Sequence, residues 1–220
     1  MTRSELARVI DHSVLKPEVG ERDILAGADL VRRLRIGFYC VQPSFVSTAA
    51  AALADTDSQV VSVVGFPHGC DRSVIKAHAA EVAVKDGASE VDMVLNVGKL
   101  KSGRTQAVTS EIAQVVRTIF GTPVKVILEA CLLTQEEKVI ACRLVQEAGA
   151  AFVKTSTGFH PGGGATVADV QLMRDTVGAD FGVKAAGGIR SLADASAMLQ
   201  AGANRLGTSA SEAILGALSA

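Results

Sequence analysis

Two lysines stand in the same local pattern on consecutive predicted strands. Lys154 and Lys184 each take the second place of a V-K-x-x-x-G segment. In neighbouring parallel strands equal placement brings both side chains to the same end, and pointing inward is cheaper than pressing an ammonium against helices. Two unit charges roughly 5 Å apart repel by ~3 kcal/mol at an effective dielectric near 20. Such repulsion would lower the pKa of one lysine, and only an uncharged amine attacks a carbonyl. The alternative is two strand-end lysines that reach solvent.

Three carboxylates are candidates for a catalytic or substrate-binding role beside these lysines. Asp92 lies in the otherwise apolar segment 90–96, where an ionised group is costly without a cation beside it. The two lysines would supply that cation, which favours a proton-transfer role for Asp92 over a helix cap or surface position. Asp11, next to His12, is a further candidate for contact with the substrate. For Glu129, at a predicted strand end, the residues do not separate a structural from a catalytic role.

Eight short apolar segments, rich in β-branched residues, are predicted as strands, and helix-like stretches separate them. The predicted strands are 9–12, 37–41, 60–65, 90–96, 124–129, 151–155, 181–185 and 204–207. Near-continuous apolar runs suit parallel strands that are covered on both faces. Eight strand–helix units favour a closed barrel over an open sheet, and no G-x-G-x-x-G opens a helix after the first strand. We therefore predict an α/β fold, a (β/α)8 TIM barrel, as one domain over residues 1–220.

Helix boundaries can also be predicted. Four helices are predicted to begin with the capping pattern S/T-x-x-D/E, at Thr134, Thr166, Ser191 and Ser209. Glycines predict left-handed helix ends at Gly87, Gly149, Gly178 and Gly202.

Glycines gather after the last strands of the predicted barrel, at Gly187, Gly188 and Gly207, and Gly158 adds a third loop edge. Glycine lets the backbone approach an anion closely, and barrels of this type often bind phosphate at these loops. Ser209, as the predicted start of the final helix, would direct its amide to the same mouth. Plain tight turns are the alternative interpretation.

Composition argues against several classes of function. Lys and Arg total 22 against 23 for Asp and Glu, without the basic excess of a nucleic-acid-binding protein. No run approaches ~18 apolar residues, and the N-terminus is charged where a signal peptide is apolar. We expect a cytoplasmic protein with no membrane partner. The four cysteines and four histidines lack metal-ligand or C-x-x-C spacing, so we expect reduced thiols and no metal.

Five segments resemble the deoxyribose-phosphate aldolase family, whose members are class I aldolases. They are residues 10–16, 90–96, 154–158, 184–190 and 207–209, and they keep the family's order along nearly the whole chain. The resemblance implies reversible cleavage of 2-deoxy-D-ribose 5-phosphate to acetaldehyde and D-glyceraldehyde 3-phosphate, without a cofactor. Some members use a terminal tyrosine in proton transfer. The one tyrosine here is Tyr39, so we expect Asp92 and water to carry the proton.

The resemblance also implies roles for individual residues. Lys154 would form the Schiff base, Lys184 would lower its pKa, and Asp92 would belong to a water-assisted proton relay. The implied phosphate contacts are Gly158, Gly187, Gly188, Gly207 and Ser209. Two alternatives stay open: a transaldolase-like Schiff-base enzyme for another phosphosugar, and a non-catalytic phosphate-binding barrel. We expect small phosphosugar and aldehyde substrates and a homo-oligomer, dimer or tetramer.

Overall fold

Eight parallel strands form a closed barrel in the computed structural model, which describes residues 1–218. The strands are β1 (Ile10–Val14), β2 (Phe38–Val41), β3 (Gln59–Val64), β4 (Glu90–Val94), β5 (Val124–Ile127), β6 (Phe152–Lys154), β7 (Gly182–Ala186) and β8 (Arg205–Thr208). Each strand pairs with the next along the chain, and β8 closes onto β1. The predicted (β/α)8 barrel is therefore confirmed. The predicted domain end at Ala220 lies outside the described residues.

Helices surround the barrel; α1 precedes the first strand, α10 follows the last, and the others connect successive strands. They are α1 (Arg3–Val9), α2 (Glu21–Leu34), α3 (Val46–Ala52), α4 (Ser73–Lys85), α5 (Val97–Lys101), α6 (Thr105–Thr118), α7 (Gln135–Glu147), α8 (Val167–Val177), α9 (Leu192–Gln200) and α10 (Ser211–Gly216). Short 3₁₀ turns at Pro43–Phe45 and Ala130–Leu132 precede α3 and α7. Over residues 1–218, no helix combines the length and the apolar character needed to cross a membrane.

All eight predicted strands are present in the predicted order, but several ends differ for local reasons. β1 begins at Ile10 because α1 continues through Val9. β4 ends two residues earlier than predicted, because the Asn96 side chain accepts a hydrogen bond from the Lys99 amide and caps α5. β5 ends at Ile127, since Glu129 takes a left-handed conformation with φ of 52°. Helix capping by a side chain at Asn96 and a left-handed residue at Glu129 thus end these strands before their apolar runs end.

Three of the four predicted helix caps are present, and the fourth is wrong. The capping hydroxyls are those of Thr134, Thr166 and Ser191. Ser209 does not cap α10, which begins at Ser211 after the non-capping Ala210. The Thr208 hydroxyl instead accepts a hydrogen bond from the Ala210 amide at 2.9 Å, so the chain makes a turn before the helix begins. Positive φ values between 80° and 108° occur at all four predicted helix-end glycines, Gly87, Gly149, Gly178 and Gly202.

The apolar core lies mainly between the strands and the surrounding helices, and a smaller cluster formed by Cys40, Val61 and Val63 lies apart from it. Strand residues alternate in direction, so one side chain in two points into the barrel. Many of the inward positions are charged and buried: Asp11, Glu90, Asp92, Lys125, Lys154, Lys184 and Arg205. Buried charges persist only when they are paired and hydrogen-bonded. The barrel interior therefore carries chemistry as well as packing.

Candidate active site

The structure brings Lys154, Lys184 and Asp92 together inside the barrel. Lys154 on β6 and Lys184 on β7 are direct partners in the strand register. Both ammonium groups donate to the same oxygen, Asp92 Oδ2 on β4, at 2.6 and 2.7 Å. Lys154 is 3% exposed, Lys184 1% and Asp92 fully buried. The two lysines thus share one buried carboxylate oxygen at the floor of the barrel mouth.

The surroundings shift the pKa values of the two lysines in opposite directions. Burial is the largest cause that lowers the pKa of Lys154; Asp92 opposes this effect and the positive charge of Lys184 adds to it. Burial acts on Lys184 too, but the carboxylates of Asp11 and Asp92 outweigh it and raise its pKa. Lys154 is therefore the lysine that more readily becomes a free amine. Loss of solvation lowers the pKa of Lys154 more than repulsion by Lys184 does, although the sequence had suggested repulsion as the cause.

Asp92 is held as a carboxylate by three lysines rather than two. Burial favours its neutral form, but Lys125, Lys154 and Lys184 together bring its pKa well below the usual range. The third lysine, Lys125 on β5, donates to Asp92 Oδ1 at 2.8 Å and is fully buried. Lys125 was not among the candidates from the sequence, although it is a single charge inside the apolar run Val124–Ile127, the same kind of signal that identified Asp92 in its own strand.

Asp11, on β1, contacts the ammonium group of Lys184. Its Oδ2 accepts a hydrogen bond from Lys184 Nζ, and the same oxygen is 4.0 Å from Lys125 Nζ. The carboxylate is completely buried. Its contacts make Asp11 a partner of Lys184 rather than a group at the cavity surface.

A cavity of about 850 Å³ opens above the two lysines at the carboxyl ends of the strands. The predicted phosphate contacts all line it: Gly158, Gly187, Gly188, Gly207 and Ser209. A Cβ at position 187 would lie 2.9 Å from Gly164 Cα, and a Cβ at position 207 would lie 2.9 Å from Ala186 Cβ. Glycine is required at these two positions by close packing, and bare backbone lines the cavity there.

Glu129 holds the loop that carries Gly158. Its carboxylate accepts hydrogen bonds from the Thr157 amide at 3.2 Å and from the Thr157 hydroxyl. The Thr157 hydroxyl oxygen in turn accepts a hydrogen bond from the Phe159 amide at 3.1 Å. These contacts on both sides of Gly158 support a structural role for Glu129, the alternative that the residues alone had left beside a catalytic one.

The four cysteines are free thiols. Cys40 is buried and lines the cavity, and burial raises its pKa to about 12. In the described part of the chain, no group of three or more His, Cys, Asp or Glu side chains is arranged to hold a metal ion. The one tyrosine, Tyr39, donates its hydroxyl to the Ile24 carbonyl at 2.7 Å and packs between β2 and α2.

A family model, curated relatives and solved structures of at least 30% identity all match aldolases. The DeoC/LacD aldolase family matches residues 7–218. A deoxyribose-phosphate aldolase of Streptococcus pneumoniae (strain Taiwan19F-14) is 52% identical over 211 residues, which cover 96% of each chain. Among solved structures, an aldolase called QR15 has a TM-score of 0.92 at 37% identity, covering 96% of this chain and 95% of its own. Deoxyribose phosphate aldolase from Aeropyrum pernix, described as a tetramer, has a TM-score of 0.91 at 30% identity, with 98% and 92% coverage.

The matched region contains every strand and all the buried charges of the barrel interior. The identities exceed what fold similarity alone would explain, and they cover nearly the full length of each relative. This chain belongs to the DeoC/LacD family of aldolases.

Proposed function

We propose that this protein reversibly cleaves 2-deoxy-D-ribose 5-phosphate to D-glyceraldehyde 3-phosphate and acetaldehyde through a Schiff base on Lys154. One observation carries the proposal: Lys154 is a buried lysine of lowered pKa that lines a cavity rimmed by glycine loops. The family membership and the names of the relatives support the same reaction. No other lysine of the site combines access to the cavity with a lowered pKa.

The first half of the reaction forms the imine. The free amine of Lys154 attacks the C1 aldehyde of the open-chain sugar to form a carbinolamine. The carbinolamine hydroxyl takes a proton from solvent and leaves as water, so a protonated imine remains. Lys184 stays charged between Asp11 and Asp92, so its positive charge keeps favouring the uncharged form of Lys154. The ammonium group of Lys154 has three N–H donors, whereas its protonated imine has one. Asp92 Oδ2 therefore accepts fewer hydrogen bonds from the imine and can take up a proton more easily.

The second half breaks the C2–C3 bond. The C3 hydroxyl proton passes through a water to Asp92 while the electrons of the C2–C3 bond form the C1–C2 double bond of an enamine, with the imine nitrogen as the electron sink. D-Glyceraldehyde 3-phosphate leaves as the C3 aldehyde. The enamine then takes a proton at C2, and water hydrolyses the imine to release acetaldehyde and restore Lys154.

The phosphate of the sugar would lie against the glycine loops, where backbone N–H groups can approach an anion without interference from side chains. The proposed contacts are Gly158, Gly187, Gly188, Gly207 and Ser209. The side chain of Arg190 also lines the cavity and is exposed. Binding at the rim fixes the distance from the phosphate to C1 over Lys154, which aligns the reacting carbonyl with the amine.

Reductive trapping tests the proposal directly. The protein is incubated with acetaldehyde and cyanoborohydride, digested, and mapped by peptide mass spectrometry, with Lys154→Arg as the control. We expect the adduct that forms fastest to lie on Lys154, and to be lost in the variant. A faster adduct on another lysine would overturn the assignment. A panel of phosphosugars then separates the proposed substrate from transaldolase substrates, and no turnover of any of them would support a non-catalytic barrel.

The assembly proposed for the chain is a homo-oligomer, a dimer or a tetramer. Helix α4 exposes Val74, Ile75 and Val82, which are 53%, 54% and 41% accessible, and apolar side chains grouped in this way mark interaction surfaces. The Aeropyrum pernix relative is described as tetrameric. Sedimentation equilibrium measures the mass, and a monomer at micromolar concentration would contradict the proposal.

The proposed compartment is the cytoplasm. Free thiols at four cysteines fit a reducing environment. Fractionation of the source cells with an antibody to the protein would test this placement, and recovery with secreted material would contradict it.

A further inference from the structure

A chain of ion pairs continues below the active site to the opposite end of the barrel. Lys125 joins Asp92 to Glu90, because its ammonium lies 2.8 Å from Asp92 Oδ1 and 2.6 Å from Glu90 Oε2. Arg205 donates to the two oxygens of Glu90 at 2.8 and 3.3 Å. Lys125, Glu90 and Arg205 are 0%, 5% and 7% exposed. The pairs therefore connect Asp92 with Arg205 without an intervening solvent layer.

Aromatic rings hold Arg205 in place at the amino-terminal end of the barrel. Its guanidinium carbon lies 3.3 Å from the ring centre of Phe38 and 5.2 Å from that of Phe152. These three residues and Glu90 come from β8, β2, β6 and β4, and side chains from alternate strands form one layer of such a barrel. Arginine keeps its proton in proteins. Arg205 is thus a fixed positive charge in a rigid layer.

The buried charges balance only when one proton is missing. The groups that act on Lys154 are Asp92 on β4, Lys184 on β7, Cys40 on β2 and Asp11 on β1. With Lys125, Glu90 and Arg205 included, the connected cluster contains four basic and three acidic side chains: Lys125, Lys154, Lys184 and Arg205 against Asp11, Glu90 and Asp92. Net charge among buried side chains is costly. Loss of one proton makes the cluster neutral.

We propose that Glu90 and Arg205 are positioning residues of the active site, which fix Lys125 against Asp92 and complete a buried charge set that is neutral when Lys154 is a free amine. The inference rests on the proposed Schiff-base role of Lys154. Neither residue touches the substrate. Their effect reaches Lys154 through Lys125 and Asp92, and through the total charge of the cluster.

Removing the two charges separately gives opposite expectations. Arg205→Met deletes a cation, so the cluster becomes neutral with Lys154 protonated, and trapping of the imine moves to higher pH. Glu90→Gln deletes an anion with little change of shape and moves trapping to lower pH. A unit charge roughly 10 Å away at an effective dielectric near 20 changes the trapping rate about tenfold on the acidic side of the profile. The double variant should return close to the wild-type profile.

The experiment measures the initial rate of adduct formation on Lys154 with acetaldehyde and cyanoborohydride as a function of pH. Arg174→Met is the matched control, because Arg174 donates to backbone carbonyls such as that of Gly202 and lies outside the cluster. A merely structural defect would lower stability in the control and the test variants alike without moving the pH midpoint.

Each outcome decides one question. Opposite shifts in Arg205→Met and Glu90→Gln support the inference. An unmoved midpoint in Glu90→Gln, or shifts of the same sign in both variants, overturns it. Should Arg205→Met fail to fold, Glu90→Gln decides alone through the presence or absence of a shift to lower pH. Absence of an adduct on Lys154 in the wild type overturns the proposed function instead, so the two failures are distinguishable.

Discussion

Replacing Lys184 by methionine should make the protein need a higher pH for imine formation. The two ammonium nitrogens lie 2.6 and 2.7 Å from the same oxygen of Asp92, so they are separated by roughly 5 Å or less and repel by about 3 kcal/mol at an effective dielectric near 20. Without Lys184 this repulsion is lost, and Asp11 and Asp92 attract the proton of Lys154 more strongly. Both changes raise the pKa of Lys154.

At neutral pH we expect Lys184→Met to lower the rate of imine formation with acetaldehyde by on the order of 100-fold. The rate should recover as the pH rises. The assay is the pH profile of cyanoborohydride trapping, read as the adduct on Lys154. Lys76→Met is the matched control, because Lys76 is an equally buried lysine on α4 that is paired with Glu111. An unchanged pH midpoint in a folded Lys184→Met variant would refute the electrostatic role of Lys184.

Three further predictions follow from the structure. Gly187 and Gly188 have φ of 87° and 80°, so alanine strains the backbone at either position. Only at position 187 does the added Cβ also meet a neighbouring backbone atom, at 2.9 Å, whereas nothing lies within 4 Å of it at position 188. Steady-state kinetics should therefore show a larger KM increase for the phosphosugar in Gly187→Ala than in Gly188→Ala, with acetaldehyde trapping unaffected in either variant. Cys70 is exposed and Cys142 is buried with its pKa raised to about 12; a thiol-reactive chromophore should modify Cys70 in the native protein and Cys142 only after unfolding. Burial raises the pKa of Asp92, but its lysine neighbours outweigh this and lower it below 3.8, so its stabilising contribution is complete above about pH 4 and is lost as the pH falls through the lower folded value; urea unfolding should show a smaller loss of stability on acidification in Asp92→Asn.

Much of the fold can be predicted from the sequence because its signals are local. Apolar runs, capping hydroxyls and terminal glycines act within a few residues, and the alternation of eight strand–helix units favours a closed barrel. The register between β6 and β7 also follows from a short pattern. Both strands contain V-K-x-x-x-G, which predicts the direct pairing of Lys154 with Lys184 that the structure shows. Strand ends were less predictable, as at Glu129, where the backbone turns left-handed.

Only the tertiary structure shows which charged side chains meet inside the barrel. Lys154 and Lys184 could be placed side by side from adjacent strands, but Arg205 and Glu90 are 115 residues apart on strands that meet only across the closed barrel. Which side chains meet there depends on the tilt and stagger of all eight strands, which no local pattern encodes. Burial is likewise a property of the whole fold, so the dominant cause of the lowered pKa of Lys154 could not be ranked from the sequence. The sequence by itself determined the strand–helix alternation and the pairing of Lys154 with Lys184. The tertiary structure decided that Lys125 joins them and that burial lowers the pKa of Lys154, whereas two carboxylates raise that of Lys184.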